Sequence, residues 1–328
     1  MKRPLFNVAA ALLACLFLTQ CGSVPTGGGI SRAKTLSSLG YESVPLGKIP
    51  GDHRYSGVFL VNGEPLHFLI DSGANRTDVG ENLARKTGLV LDDSVKIITR
   101  GALGREIHSS RGFGALQIGP MVAPQFAFTI APDEGKKTST SSYAGQVGLD
   151  ALSATGALID IPDGRMWVPG ANAVVRRGSE VGKLGIHPPL GEKILKLGTA
   201  GRLPHLILKG RLNGQPVSWV VDTGAEVSVM AAESFDRFNL PSRESNSRMI
   251  DASGDRVALR YARLHNLTFG EVNVAVFDLS VAPLGPVRKY FRDGRGRPVD
   301  GILGMDFLTN GNALLDAGSK VLYMGKPQ

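Results

Sequence analysis

Cysteine is almost missing from this 328-residue chain, which has two, Cys15 and Cys21. Cys15 lies inside an apolar run, so no disulfide framework is available and stability has to come from packing. Aromatic residues make up 6% of the chain and its apolar segments are short and broken by Gly, Asn and Pro. That composition disfavours long helices and favours an all-β architecture. The six histidines form no HExxH or His-x-His pair, and with so little cysteine a metal site is not expected. A Gly-x-Ser-x-Gly elbow and a Gly-x-x-x-x-Gly-Lys loop are also missing, which removes those routes to serine-nucleophile and nucleotide chemistry. No cofactor is implied.

Long apolar runs are lacking too. Residues 8–18 are apolar after Lys2 and Arg3, but the run is too short to span a bilayer comfortably. It is followed by Leu18-Thr19-Gln20-Cys21-Gly22. This pattern resembles a bacterial lipoprotein signal occupying residues 1–20, with Cys21 as the lipidated first residue, although Gln20 stands where a small residue is usual. It implies a chain anchored by lipid in the bacterial cell envelope and facing the periplasm. An ordinary secretory signal and an uncleaved anchor are the other readings. Residues 21–40, rich in Gly and Ser, read as a flexible tether. The formal charge of +8 is spread along the chain, with one denser run at 288–297 (RKYFRDGRGR). Such a run most often forms a solvated loop, and no nucleic-acid-binding motif accompanies it.

The residues that are present form a repeat. VNGEPLHFLIDSGAN at 61–75 recurs as LNGQPVSWVVDTGAE at 212–226, an offset of 151 residues that holds without a gap for nearly ninety positions. Each copy places Asn-Gly between two apolar runs, a strong hairpin signal because both residues tolerate positive φ. Each then delivers an aspartate, Asp71 or Asp222, into Ser/Thr-Gly-Ala. A short helix is expected after each aspartate, at 80–87 and 231–238, and an exposed glycine-containing hairpin at 99–105 and 250–256. The register slips near residue 131 and resumes at an offset of 156, where Gly145-Gln146-Val147-Gly148-Leu149-Asp150 matches Gly301-Ile302-Leu303-Gly304-Met305-Asp306. The longer second-copy insertion, containing the basic run, is expected in a surface loop. These markers divide the chain into an N-terminal lobe at 41–175, a linker at 176–191 and a C-terminal lobe at 192–328.

A lone aspartate on such a turn commonly does no more than bond its own backbone amides. Two in matching context can meet about a pseudo-twofold axis. Like charges that close cannot both ionise, so the pair becomes an acid and a base at once. Gly73 and Gly224 would allow close backbone approach, and the hydroxyls of Ser72 and Thr223 could bond across the axis.

Asp71-Ser72-Gly73-Ala74 and Asp222-Thr223-Gly224-Ala225, each followed some distance on by Val147-Gly148 or Leu303-Gly304, resemble the retropepsin-like aspartic proteases. The tandem copies are similar to the two-lobed arrangement of pepsin built from retropepsin-sized halves. The resemblance implies two β-barrel lobes with short helices, a pseudo-twofold axis and hydrolysis of an extended peptide by water held between Asp71 and Asp222. It also implies flaps whose tips fall near Gly101 and Gly104 in one lobe and near Ser253 and Gly254 in the other. Gln146, where the family prefers an apolar residue, puts support of the first turn in question, and which flap closes is open. A monomer with an intrachain pseudo-dimer is the simplest assembly, with lobe pairing between chains as the other. A peptide-binding envelope lipoprotein that keeps the fold without cleaving is the alternative function.

Overall fold

The computed structural model describes residues 32–133, 143–173, 193–200, 205–251, 253–288, 290–293 and 296–325. The leader at 1–20, Cys21 and the linker at 176–191 lie outside them. Both Asn-Gly pairs take the backbone that a two-residue hairpin needs. Asn62 and Gly63 have φ of 50° and 86°, Asn213 and Gly214 49° and 78°. This mirror-image turn matches the right-handed twist of the strands it joins. Tyr55–Val61 consequently pairs with Glu64–Ile70, and His205–Leu212 with Gln215–Val221.

Each hairpin sits in an eight-stranded sheet of the same order in both lobes. The aspartate-bearing strand Glu64–Ile70 has Tyr55–Val61 on one side and the short strand Gly145–Val147, running parallel, on the other. Asp78–Gly80 follows, then Met121–Ala131, Glu106–Ile118 and Val90–Arg100. Tyr55–Val61 also pairs with Glu106–Ile118 through Val61 and Leu116, so the sheet curls back on itself. The C-terminal lobe repeats the closure through Leu212 and Leu267. The helices after the aspartates are short, Glu81–Lys86 and Ala232–Phe235, the latter continued by a 3-10 turn at Asp236–Phe238.

A third sheet, six-stranded, takes strands from both lobes. At its centre Leu158–Asp160 runs antiparallel to Leu314–Asp316 with Ile159 opposite Leu315, its own repeat mate. The pseudo-twofold axis passes through that pair, and the lobes share one continuous apolar core that includes Phe59, Phe68, Val147, Trp219, Phe269 and Leu303.

Two expectations change. Residues 32–38, placed in the flexible tether 21–40, form a helix that packs Leu36 (1% exposed) against Tyr41, Trp167 and Tyr323 on the six-stranded sheet. Arg32 enters the interior and pairs with the fully buried Asp160 at 2.5 Å while donating to the Asn312 carbonyl, so burial of one leucine and one bridged arginine holds the segment. The basic run at 288–297 is only partly a solvated loop. Asp293 is buried and bonded to Arg297, and Tyr290 and Phe291 turn toward the space between the lobes, with the Arg100 guanidinium over the Tyr290 ring at 4.4 Å.

Candidate active site

Each aspartate leaves its strand at the point where parallel pairing ends. The Asp71 amide donates to the Val147 carbonyl at 3.1 Å and the Asp222 amide to the Leu303 carbonyl at 3.0 Å. The chain then turns so that its next amides point back at the carboxylate. Asp71 Oδ1 accepts from the amides of Gly73 and Ala74 at 2.8 and 2.9 Å, and Asp222 Oδ1 from those of Gly224 and Ala225 at 2.8 and 3.1 Å. The near-equal amide bonds show that Gln146 leaves the first turn supported. Its side chain lines the cleft, whereas its mate Ile302 is buried.

The hydroxyl residues join the two turns. Ser72 Oγ donates to the Val221 carbonyl at 2.9 Å and accepts the Thr223 amide at 3.0 Å. Thr223 Oγ1 donates to the Ile70 carbonyl and accepts the Ser72 amide, both at 2.9 Å. Both hydroxyl residues are buried, so these reciprocal bonds are shielded from competition by water. They bring Asp71 and Asp222 into a shared side-chain hydrogen bond. Gly73 and Gly224 are the places where each carboxylate rests on the opposite turn. A Cβ on either would fall within the carboxylate of the other lobe's aspartate.

Burial raises the Asp71 carboxyl above its ordinary value, and bonds from Ala74, Gly73 and the nearby Arg54 charge moderate the rise. Burial raises Asp222 well above its ordinary value, and the negative charge of Asp71 adds to it. The pair retains a proton to a higher pH than two isolated carboxyls would, and it titrates as a unit. It therefore offers a carboxylate that can take a proton and a carboxyl that can give one, within reach of the same small molecule.

A second layer was not read from the sequence. Thr77 Oγ1 donates to Asp150 Oδ1 at 2.7 Å and accepts the Gly148 amide at 3.1 Å. Ser228, Asp306 and Gly304 repeat the arrangement at 2.6 and 2.9 Å. Each clamp ties the segment after the aspartate turn to the start of the helix after the Val-Gly or Leu-Gly element. The signal was present, since a hydroxyl stands six residues after each aspartate and an acid two after each glycine. Arg54 breaks the symmetry. Held by Asp52 at 2.5 Å, it donates to the Gly224 carbonyl of the other lobe at 3.4 Å. Its repeat mate is His205, whose ring meets Phe291 edge-on at 4.1 Å.

Beside the first aspartate turn lies a cleft of about 1170 Å³, bounded by the hairpin of Val90–Arg100 and Glu106–Ile118, by Gly73 and Ala74, and across the axis by His205, Ser253 and Phe291. The expected tips form matched tight turns, with the Gly104 amide donating to the Gly101 carbonyl and the Gly254 amide to the Asp251 carbonyl, each at 2.9 Å. Gly104 and Gly254 have φ of 94° and 84°. The two tips touch. Asp251 Oδ2 accepts the Leu103 amide at 2.8 Å, and Arg105 approaches Asp255 at 3.5 Å. Among the described residues no group of three or more His, Cys, Asp and Glu side chains is arranged to hold a metal ion.

Comparison with known proteins agrees with this geometry. The family model described as aspartyl protease matches residues 208–307, and that described as gag-polyprotein putative aspartyl protease matches residues 59–153. No curated protein matches the chain. Among solved structures, the aspartic proteinase from Irpex lacteus is similar over 88% of this chain and 98% of its own, with a TM-score of 0.53 at 14% identity. Conglutin gamma, a basic 7S globulin from lupine seeds, is similar over 88% of this chain and 95% of its own, with a TM-score of 0.50 at 10% identity. At such identities these likenesses concern the fold alone. With an aspartyl-protease domain matched in each half and the halves paired about one axis, the chain is a two-lobed protein of the retropepsin-like, pepsin-clan fold.

Proposed function

We propose that the protein is an aspartic endopeptidase. The observation that carries this reading is the meeting of the Asp71 and Asp222 carboxyls across the axis, each against the other lobe's glycine, next to an open cleft that Gly73 and Ala74 line. A water held between them attacks the carbonyl carbon of a peptide bond as it passes a proton to the ionised carboxylate. The protonated carboxyl donates to the carbonyl oxygen and stabilises the charge that develops there. The tetrahedral intermediate collapses when a proton from the pair reaches the amide nitrogen, which leaves as an amine. No metal and no covalent enzyme intermediate enter these steps.

Cleavage of a fluorogenic peptide mixture by the wild-type chain and by Asp71→Asn and Asp222→Asn tests the reading. Both substitutions keep the shape and remove one member of the acid–base pair, so each is expected to abolish cleavage with an unchanged circular dichroism spectrum. Full activity in either would exclude a shared dyad. Peptide binding by the wild type without any cleavage would instead assign the chain to the binding proteins. Attachment to the envelope through Cys21 belongs to the same proposal and is supported by residues 2–22 of the sequence. Radiolabelled palmitate should enter the wild type and not Cys21→Ala. Sedimentation of the chain without residues 1–21 should give a monomer.

A further inference from the structure

We infer that the cleft selects peptides carrying acidic side chains close to the scissile bond, an inference that rests on the endopeptidase reading and adds the substrate class. Five permanent cations line the cleft, Arg76, Lys96, Arg100, Arg105 and Arg111, against two carboxylates, Asp78 and Glu106. Glu106 is taken by Arg100, with which it forms an ion pair. Arg105 shares the longer 3.5 Å contact with Asp255 at the flap tips. Among the described residues Arg76, Lys96 and Arg111 make no ion pair, and Arg111 lies 5.6 Å from the Phe113 ring. These three line the N-terminal wall with charge that no described residue within ion-pair distance neutralises.

The same wall holds hydroxyls without partners. Ser109 Oγ and Thr129 Oγ1 are buried, their residues 3% and 2% exposed, and neither makes a hydrogen bond among the described residues. Both residues line the cleft beside Arg111, which pairs across the sheet with Thr129. These oxygens are screened from the cleft, so they make the wall polar without themselves contacting a ligand. The cross-strand row Gln146, Asp78, Thr129 and Arg111 is polar from end to end. In the other lobe the matching row is Ile302, Val229, Ser280 and Tyr261, in which the first two are buried apolar residues and the last two are half-buried, and it carries no cation. One half of the cleft is therefore built for polar, negatively charged side chains, and one-signed charge on low-dielectric walls concentrates anionic ligands. An extended peptide advances about 3.3 Å per residue with alternate side chains on opposite faces, so acidic residues within about three positions of the scissile bond can reach this wall.

The test uses one cleavable peptide frame in three versions, with Glu, Gln or Lys at the flanking positions. Wild-type kcat/KM should be about tenfold higher for Glu than for Gln, the effect of two exposed ion pairs, and lowest for Lys. The gap should close as ionic strength rises from about 0.01 M to about 1 M, and Lys96→Glu should narrow it at low salt. Fluorescence anisotropy of the same labelled peptides on Asp222→Asn reads binding without turnover. Equal cleavage and equal binding of all three peptides would overturn the inference and leave the endopeptidase reading standing. No cleavage, with the Glu peptide bound most tightly, would keep the charge selection and overturn the endopeptidase reading. Neither cleavage nor a binding preference would remove both.

Discussion

Gly224 supports the Asp71 carboxylate from across the axis, as Gly73 supports that of Asp222, and both have less room than an alanine requires. Gly224→Ala should push the carboxylates apart and lower kcat about 100-fold, the scale of a 1 Å misplacement, with the fold retained by circular dichroism. The buried hydroxyls act on stability. Thr223→Val keeps the shape but leaves the Ser72 amide and the Ile70 carbonyl without their partner, at a cost of about 1–3 kcal/mol measurable by urea denaturation. Arg54 acts on titration. Burial raises Asp71 and the Arg54 charge opposes that rise, so Arg54→Gln should raise the carboxyl further and move the acid limb of the kcat/KM profile to higher pH. An unchanged acid limb would remove Arg54 from the electrostatics of the pair. Asp71, Asp222 and their glycines were legible as a repeated tetrapeptide. Arg54 was not, because its repeat mate is a histidine and its carbonyl partner lies 170 residues away.

At the scale of elements, the two flap hairpins are alike in backbone and unlike in chemistry. Asp251 bonds the Ser253 and Asp255 amides of its own turn and the Leu103 amide of the other. Its repeat mate is Arg100, so the bond between the tips runs in one direction only. Charge-assisted hydrogen bonds contribute about 1.5–3 kcal/mol, so Asp251→Ala should speed hydrogen exchange at the Leu103 amide at least about tenfold. No change would mean that the tips meet without Asp251 holding them. The positions of both hairpins followed from their glycines, and their contact did not, because nothing local encodes a distance between two loops. The helix at Arg32–Ser38 was missed for a similar reason. Seven residues form a weak helix alone, and this one depends on Leu36 and the Arg32–Asp160 pair.

At the scale of the whole molecule, several buried carboxyls shape the pH response. Burial raises Asp71, Asp222, Asp150 and Asp316 above 3.8. The stability this contributes is fully present below the unfolded value of about 3.9 and is lost as pH rises through the higher folded values. Asp278 is set the other way, lowered to about 2 by its bond to Arg263, and its smaller, exposed contribution is lost as pH falls through that range. The melting temperature should therefore be higher near about pH 5 than near about pH 8. A flat or opposite profile in scanning calorimetry would contradict this balance of buried carboxyls. The sequence by itself determined the duplication, the two Asn-Gly hairpins, the all-β lobes and the matched aspartate turns. Those depend on backbone φ and on short-range pattern, which neighbouring residues carry. Only the tertiary structure decided that Arg54 reaches the Gly224 carbonyl of the other lobe, that Tyr290 and Phe291 leave a basic loop for the cleft, that the two tips touch and that cations line one wall. Each of these joins side chains or turns from distant parts of the chain, and folding alone brings them within bonding distance.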